Sequence, residues 1–244
     1  MDRKNLRQQL LESYPVRIEL HAHTQPASGC GRVPGDQVAK NYKAAGYDAV
    51  VITNHFSRGT LIDYYQPSCK AESIEKYLAD YYLAKRTGDD IGLKVFLGAE
   101  IRFEKTGGND YLLYGMDEAL IDAAFDYIDA TPQEFYTRGK DPRTLFIQAH
   151  PFRDDMTQLP PEFLDGFEVF NMHPGHNPRI ALAERYANEK HISLKTIGTD
   201  YHYTGYENLC AARFPALPED SFELAEMIRS GDFIGEIGDS LIIL

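Results

Sequence analysis

Helical and strand-like patterns alternate along nearly the whole chain, and this alternation restricts the fold more than any other feature. Asp36 is placed to cap a first helix that Gly46 ends, and helical spacing of apolar residues recurs at 72–86, 118–127, 179–190 and 221–229. Between these segments lie apolar runs at 17–20, 49–53, 94–99, 111–114, 145–149, 167–170 and 194–197. The alternation predicts an α/β fold with about seven strands, parallel to one another and joined by crossover helices.

Polar side chains stand at the ends of six of these apolar runs. They are His21 and His23, Asn54 and His55, Glu100, His150, Asn171, and Asp200 and His202. In a closed parallel barrel the carboxyl ends of all strands lie on one face, so we expect these residues to meet in one mouth. An open doubly wound sheet usually needs a glycine-rich phosphate-binding turn after its first strand. The stretch GCGRVPG at 29–35 lacks the spacing of such a motif, which favours a TIM-like barrel with a simple turn there.

The acidic balance of the chain limits its partners. Its 37 acidic and 25 basic residues give a formal net charge of −12, which is unfavourable for binding long nucleic acids. A small phosphorylated substrate is compatible with this charge, because bound divalent cations would reverse the electrostatic field locally.

Cysteine usage and hydropathy indicate the compartment. Cys30, Cys69 and Cys210 form no C-x-x-C pair, so we expect neither a disulfide framework nor a zinc ribbon. No apolar run approaches the roughly 18 residues that span a membrane, and the charged N-terminus lacks the apolar core of a signal peptide. No repeat or low-complexity linker divides the sequence. We therefore expect a cytoplasmic protein that forms one domain over residues 1–244; the sequence leaves its oligomeric state open.

Two pairs of residues at i and i+2 predict metal binding. On an extended strand such residues point to the same face, so His21 and His23 can approach one cation together. Asp200 and His202 repeat this arrangement with one oxygen and one nitrogen ligand. Imidazole together with carboxylate suits zinc, manganese, iron or nickel, whereas a site for magnesium or calcium is richer in oxygen.

Glu100, His55 and His150 each follow an apolar run. An unpaired carboxylate is costly in a buried strand, so we place Glu100 between two cations that its two oxygens can bridge. The alternative for Glu100 is a salt bridge to Arg102 or Arg153. Taken singly, His55 and His150 could be core histidines; within this set we interpret them as ligands.

Three further histidines have weaker patterns. His173 and His176 follow the 167–170 run on a loop with Pro and Gly, where metal contact, substrate contact and loop packing are all open. His191 lies at the end of a helical pattern, and we interpret it as a solvated residue or one that faces the helix dipole.

The motifs ELHAHT, ITNHF, GAEI, QAHPF, EVFN and GTDYH occur in this order over nearly the whole chain. Together they resemble the polymerase and histidinol phosphatase (PHP) domain family. The resemblance implies a distorted seven-stranded β/α barrel that holds two or three divalent metals, zinc, manganese or iron, and hydrolyses phosphoesters. The implied ligands form three sets: His21, His23, Glu100 and Asp200; Glu100 and His150; His55 and His202.

Three positions depart from the family pattern. Asn54 stands where family members often have Asp. Where some members carry another histidine or an Asp after the H-x-H pair, the stretch SGCG leaves Cys30 or a water as candidates. In the strand after Glu100, where a histidine can complete the second metal site, NDYLLYG offers Asp110 or Tyr111.

These observations predict a metal-dependent phosphoesterase whose substrate is a small phosphomonoester, such as histidinol phosphate or a nucleotide phosphate. A hydroxide bound between metals, held by Glu100 and Asp200, would attack phosphorus in line while the cations neutralise the phosphate oxygens. Arg153 is the candidate phosphate clamp because a guanidinium matches two phosphate oxygens. Asn171 and His173 are candidate substrate contacts.

Two other functions stay open. The same metal barrel could hydrolyse an amide, as an amidohydrolase does, and a lysine at a strand end would favour this; Lys94 and Lys195 stand instead at strand starts. The chain could also be a non-catalytic metal-binding module, for which the loss of several ligands would be the signature.

Overall fold

The computed structural model describes the chain from Arg3 to Leu244. Its helices are α1 (Arg3–Ser13), α2 (Gly35–Ala44), α3 (Lys70–Ile91), α4 (Glu118–Phe125), α5 (Pro132–Glu134), α6 (Ile180–Glu189) and α7 (Ser221–Ser230). Its strands are β1 (Val16–Ala22), β2 (Ala49–Ile52), β3 (His55–Phe56), β4 (Lys94–Leu97), β5 (Ala99–Arg102), β6 (Asp110–Tyr114), β7 (Leu145–Gln148), β8 (Gly166–Asn171), β9 (Lys195–Gly198), β10 (Cys210–Phe214), β11 (Ile234–Ile237) and β12 (Ser240–Ile243). Short π-helical turns cover Gly59–Tyr64 and Phe135–Gly139, and short 3-10 turns cover Glu104–Thr106 and Pro161–Phe163.

The strands form two six-stranded sheets, in the orders β12-β11-β10-β1-β2-β4 and β3-β5-β6-β7-β8-β9. The mixed α/β class is thereby confirmed, but the expectation of parallel strands throughout is wrong. β6 runs antiparallel to both neighbours, and β10, β11 and β12 form an antiparallel meander beside β1. The segment between β5 and β6 is too short for a crossover helix, which a parallel pair requires. β11 and β12 are joined by the two residues Gly238 and Asp239, which permit only a hairpin.

The two sheets meet along the line where β4 passes into β5. Gly98 lies between these strands, and its N–H donates to the Ile52 carbonyl at 3.0 Å. A Cβ at Gly98 would lie 2.9 Å from both the Leu113 carbonyl oxygen and the Val51 side chain, so only glycine fits here. At the other edge, Tyr201 N–H donates to the His21 carbonyl and His23 N–H to the Tyr201 carbonyl, each at 3.0 Å. These bonds bring the carboxyl ends of β1 and β9 together.

Several boundaries differ from the sequence-based prediction. β1 continues to Ala22, so His21 lies within the strand, and the run at 94–99 forms two strands with Glu100 inside the second. Asp36 does not cap α2; Pro34 is the N-cap residue, because the helix begins at Gly35 where its backbone packs against α3. The helices predicted at 72–86, 118–127, 179–190 and 221–229 are present as α3, α4, α6 and α7, with ends shifted by several residues.

Alternation along β1 separates the core from the site. Ile18 and Leu20 are fully buried and pack in an apolar cluster with Phe96 and Phe214. The intervening face carries polar residues that are buried as well, including His21. No helix in the described part of the chain combines the length and apolar character needed to cross a membrane.

Candidate metal centre

The first predicted ligand set converges at the carboxyl end of β1. His21 Nε2 and His23 Nε2 lie 3.1 Å apart. Asp200 Oδ1 lies 3.4 Å from His21 Nε2 and 3.2 Å from His23 Nε2. All three residues are buried, and their ligand atoms are close enough to share one ion. The positive φ of 55° at Asp200, uncommon for a residue other than glycine, turns the chain directly after Thr199.

Glu100 lies at the middle of the wider cluster. Its Oε1 is 3.5 Å from His21 Nε2 and 3.1 Å from His150 Nε2, and its Oε2 is 2.7 Å from His55 Nδ1. Burial opposes ionisation of this carboxyl, yet the imidazoles of His55 and His21 hold its pKa well below the usual range. The alternative of a salt bridge from Glu100 to Arg102 or Arg153 is wrong, because both guanidiniums pair with Asp110.

A third group of side chains lies where the cluster opens to solvent. His55 Nε2 is 3.1 Å from Cys30 Sγ, and His202 Nε2 is 3.0 Å from the same sulfur. The His23 ring centroid is 4.6 Å from that of His55 and 4.5 Å from that of His202. Burial raises the pKa of the Cys30 thiol, but the hydrogen bonds with His202 and His55 outweigh it and bring the pKa to about 6.

The outer nitrogens of these rings are held by polar partners. His21 Nδ1 lies 2.7 Å from Glu168 Oε1, and His23 Nδ1 lies 3.0 Å from Ser28 Oγ. His202 Nδ1 donates to the Asp200 carbonyl at 2.7 Å. With Nδ1 engaged in this way, each Nε2 presents its lone pair to the centre of the cluster, as in protein sites where a carboxylate or carbonyl orients a metal-binding histidine.

Sequence reasoning did not assign a role to Glu168 or Ser28. Glu168 is fully enclosed in β8, where it also accepts hydrogen bonds from His150 N–H at 3.1 Å and from Asn171 Nδ2 at 3.0 Å. A charged residue inside the otherwise apolar run FEVF was the available signal, because a buried carboxylate requires partners. For Ser28 the sequence holds no comparable signal, since its contacts depend on how the loop folds.

The donor set fits a divalent cation. Two imidazole nitrogens, both oriented as acceptors, and two carboxylates face one another within a buried space, which without an intervening cation is an unfavourable arrangement. Glu100 Oε2 and His150 Nδ1 are buried and have no hydrogen-bond partner among the residues that the structure describes. Nitrogen and oxygen donors in this proportion match zinc, manganese or iron.

The positions that depart from the family pattern have different roles. Asn54 Oδ1 accepts from Thr24 N–H at 2.7 Å and from Ser28 Oγ at 3.0 Å, so this side chain braces the loop after β1. Tyr111 is wrong as a candidate ligand, because its ring stacks on Phe146 in the apolar core with centroids 4.6 Å apart. Asp110 remains near the second set, with Oδ2 3.9 Å from His150 Nε2.

A cavity of about 650 Å³ opens beside the cluster, and its walls include Cys30, His55, Asp200 and His202. Arg153 and Arg102 form part of the same wall. Arg102 binds Asp110 through Nε at 2.6 Å and Nη2 at 2.7 Å, and Arg153 Nη2 reaches the same carboxylate at 3.3 Å. The same wall carries Asp154 and Asp155, so basic and acidic groups both face the cavity.

The other two predicted substrate contacts, Asn171 and His173, are not part of the cavity wall. Asn171 donates from Nδ2 to both Glu168 and Asp200, so it positions those carboxylates. His176 lines the cavity, whereas His173 is buried in the loop and its Nδ1 accepts from Gly175 N–H at 3.0 Å. His191 is exposed after the end of α6, away from the cluster.

No protein-family model matches the chain, and no curated protein is similar to it in sequence. Solved structures nevertheless share its fold. A two-domain protein from Bacteroides vulgatus, which contains a predicted PHP-like metal-dependent phosphoesterase, has 16% sequence identity and a TM-score of 0.59. The alignment covers 93% of this chain and 66% of that protein, so this chain spans slightly less than two thirds of its length.

Two further structures are similar. A protein from Bifidobacterium adolescentis, assigned to the metal-dependent phosphoesterases, has 16% identity and a TM-score of 0.50, with 86% of this chain and 95% of that chain covered. An amidohydrolase from Chromobacterium violaceum, solved with sulfate and without metal, has 14% identity and a TM-score of 0.53, with coverages of 78% and 89%. The chain therefore has the fold of the PHP-like metal-dependent phosphoesterases, as its six motifs predict.

Proposed function

We propose that this chain is a metal-dependent phosphoesterase that hydrolyses small phosphomonoesters. The single observation that carries the proposal is the cluster around Glu100, where imidazoles and carboxylates from the ends of four different strands face one another. We further propose that the two sheets act as one distorted seven-stranded β/α barrel, with the cluster at its carboxyl-end mouth.

The ligands divide into the three sets that the family resemblance implies. His21, His23 and Asp200 would hold one divalent ion, and Glu100 and His150 would contribute to a second. His55 and His202 would belong to a third. Bound ions supply an activated water and neutralise the phosphate oxygens as the phosphoester is cleaved. Zinc, manganese and iron fit this mixture of nitrogen and oxygen donors.

The protein's own contribution is to fix these groups in place. Glu168 orients the His21 ring and also holds the backbone N–H of His150, so one carboxylate aligns two of the sets. Asn171 bridges Glu168 and Asp200 and prevents the Asp200 carboxylate from rotating away. Preorganised ligands of this kind need little rearrangement when charge develops on the substrate.

Arg153 and Arg102 provide the second part of the site. Asp110 holds both guanidiniums in the cavity wall, and Arg153 Nη1 comes within 3.9 Å of Asp200 Oδ2. Phosphate oxygens entering the cavity would meet the ions on one side and these guanidiniums on the other. Arg153 is the phosphate contact that the sequence suggests, and Arg102 is an addition from the structure.

The cavity size agrees with a small substrate. Its volume of about 650 Å³ lies inside the roughly 300–1,000 Å³ range of small-molecule sites. A net charge of −12 disfavours long nucleic acids, whereas a phosphomonoester such as histidinol phosphate or a nucleotide phosphate can reach the guanidiniums of Arg102 and Arg153 in the cavity wall.

The test combines metal analysis with a substrate panel. The purified protein is analysed for bound metals and assayed on phosphomonoesters before and after chelation, together with the variants His21→Ala and Asp200→Asn. His191→Ala is the matched control, because His191 is exposed and outside the cluster. We expect stoichiometric metal, and activity that chelation and both cluster variants abolish. Hydrolysis that is indifferent to metal and to His21 would refute the proposal.

Amide hydrolysis is the second candidate, because an amidohydrolase is among the proteins that share the fold. The lysines do not support it: Lys94 Nζ donates to the carbonyls of Pro218 and Glu219, and Lys195 Nζ donates to Glu184 and Asn188. The paired guanidiniums favour a phosphate instead. Including cyclic amides in the panel separates the two functions, and no turnover of any kind despite bound metal would indicate a non-catalytic module.

A further inference from the structure

Cys30 lies in the wall of the cavity, between two histidines from distant parts of the chain. Its Sγ is 3.1 Å from His55 Nε2 and 3.0 Å from His202 Nε2. The other two cysteines have different surroundings: Cys69 is exposed at the start of α3, and Cys210 is buried in β10. Cys30 is therefore the thiol whose setting requires an explanation.

Two ring nitrogens face this sulfur, one from His55 and one from His202. His202 Nδ1 donates to a backbone carbonyl, so in the neutral ring its Nε2 is an acceptor. His55 Nδ1 lies 2.7 Å from Glu100 Oε2, and its other ring nitrogen, Nε2, faces the sulfur. A thiol has one proton and can donate to only one of the two rings. A cation placed among the three atoms would satisfy all of them.

The backbone fixes the sulfur relative to both rings. Ser28 Oγ, two residues before Cys30, accepts from the backbone N–H of His55 at 2.9 Å. Two residues after it, Arg32 N–H donates to the His202 carbonyl at 3.0 Å. Gly31 passes so close to Thr24 that a Cβ would lie 3.1 Å from its carbonyl carbon and oxygen. The loop is thus tied to each histidine separately, which is what a preformed ligand set requires.

A second observation points to a cation at this place. His23, His55 and His202 present nitrogen atoms close enough to share an ion, and Glu100 Oε2 beside them is fully buried without a hydrogen bond among the described residues. Three imidazoles with ring centroids within 6.5 Å of one another would repel if protonated together. A cation among these nitrogens would remove that repulsion, and imidazole nitrogen is a common metal ligand.

We infer that Cys30 is a metal ligand, which together with His55 and His202 binds a divalent ion through one thiolate and two imidazoles. This inference rests on the proposed function, since it assigns the third set of the same centre. Binding converts the thiol to a thiolate and releases one proton to solvent. Thiolate selects zinc, cobalt(II) or iron(II) over magnesium, calcium or manganese, so this set differs in metal preference from the oxygen-containing set at His21.

Cobalt(II) substitution tests the ligand directly, because a thiolate–cobalt bond produces a charge-transfer absorption in the near ultraviolet that nitrogen and oxygen ligands do not. The metal-depleted protein is titrated with cobalt(II), and absorption and bound metal are followed together. Cys30→Ser removes the thiolate, and Cys30→His replaces it with an imidazole. Cys69→Ser is the matched control, because Cys69 is exposed and far along the sequence from the cluster.

We expect the charge-transfer band in the wild type and in Cys69→Ser, with one fewer cobalt bound per chain in Cys30→Ser. Cys30→His should recover the lost ion without the band, which separates ligation from a general effect on folding. Cobalt bound by the wild type without the band, or a band that persists in Cys30→Ser, would overturn the inference and leave the phosphoesterase proposal standing. Absence of any metal binding would overturn both.

Discussion

The substitution Glu168→Gln tests whether a residue that touches no metal controls metal binding. Glu168 serves three groups: Oε1 faces His21 Nδ1 at 2.7 Å, and Oε2 accepts from His150 N–H at 3.1 Å and Asn171 Nδ2 at 3.0 Å. Glutamine has the same shape but only one oxygen. In either orientation its NH₂ group must face a donor, so at least one of the three contacts is lost and becomes repulsive.

The size of the effect follows from what His21 needs. Without an acceptor at Nδ1, the ring can rotate or exchange tautomer, and its Nε2 no longer points consistently at the cluster. Losing such an outer partner typically weakens metal affinity by about 10–100-fold. That factor corresponds to roughly 1.4 to 2.7 kcal/mol of binding free energy. We expect activity to recover at high metal concentration, because the direct ligands are intact.

The assay is a competition titration against a chromogenic chelator, run with zinc and manganese on the wild type and the variant. Glu189→Gln is the control; it alters an exposed ion pair with Arg185 on α6. An affinity for Glu168→Gln within twofold of the wild type, for both metals, would refute the reasoning that this carboxylate orients His21. Activity that high metal concentration fails to restore would indicate misfolding of the variant. A thermal midpoint equal to that of the Glu189→Gln control excludes misfolding.

Three further predictions concern stability and the substrate. Chelation should lower the thermal midpoint, since metal at about 1,000 times its dissociation constant contributes roughly 4 kcal/mol to the folded state; an unchanged midpoint in scanning calorimetry would contradict this. Gly98→Ala should lower the free energy of unfolding in urea by about 1–3 kcal/mol, because the new Cβ lies 2.9 Å from a backbone oxygen. Gly108→Ala, whose new Cβ has its nearest atom at 3.9 Å, should leave stability nearly unchanged. Equal effects of the two substitutions would argue against close packing between the sheets. Arg102→Lys should raise the KM for a phosphomonoester about tenfold while metal content stays constant, because lysine cannot keep the two bonds to Asp110. Arg58→Lys is the control and should leave KM unchanged, because Arg58 forms an exposed ion pair with Asp129.

Much of the centre follows from the sequence because ligands lie next to strongly apolar strands. His21 and His23 must share a face of an extended strand, and Glu100 must be buried after KVFLGA, so both statements need only local geometry. The antiparallel direction of β6 and of β10–β12 could not be predicted from the sequence, because it depends on the length of each connection and on which strand is available for pairing. The partner of Arg102 did not follow either, since the choice between Glu100 and Asp110 is made by the fold.

The sequence by itself determined the α/β class, the six motifs and the chemical character of the site, because strand periodicity and residue type are local properties. Only the tertiary structure decided which atoms share a space. It brought Cys30 between His55 and His202, placed Glu168 behind His21, and paired both arginines with Asp110. These contacts join residues far apart in the chain, and their distances depend on how the two sheets pack, which no local pattern encodes.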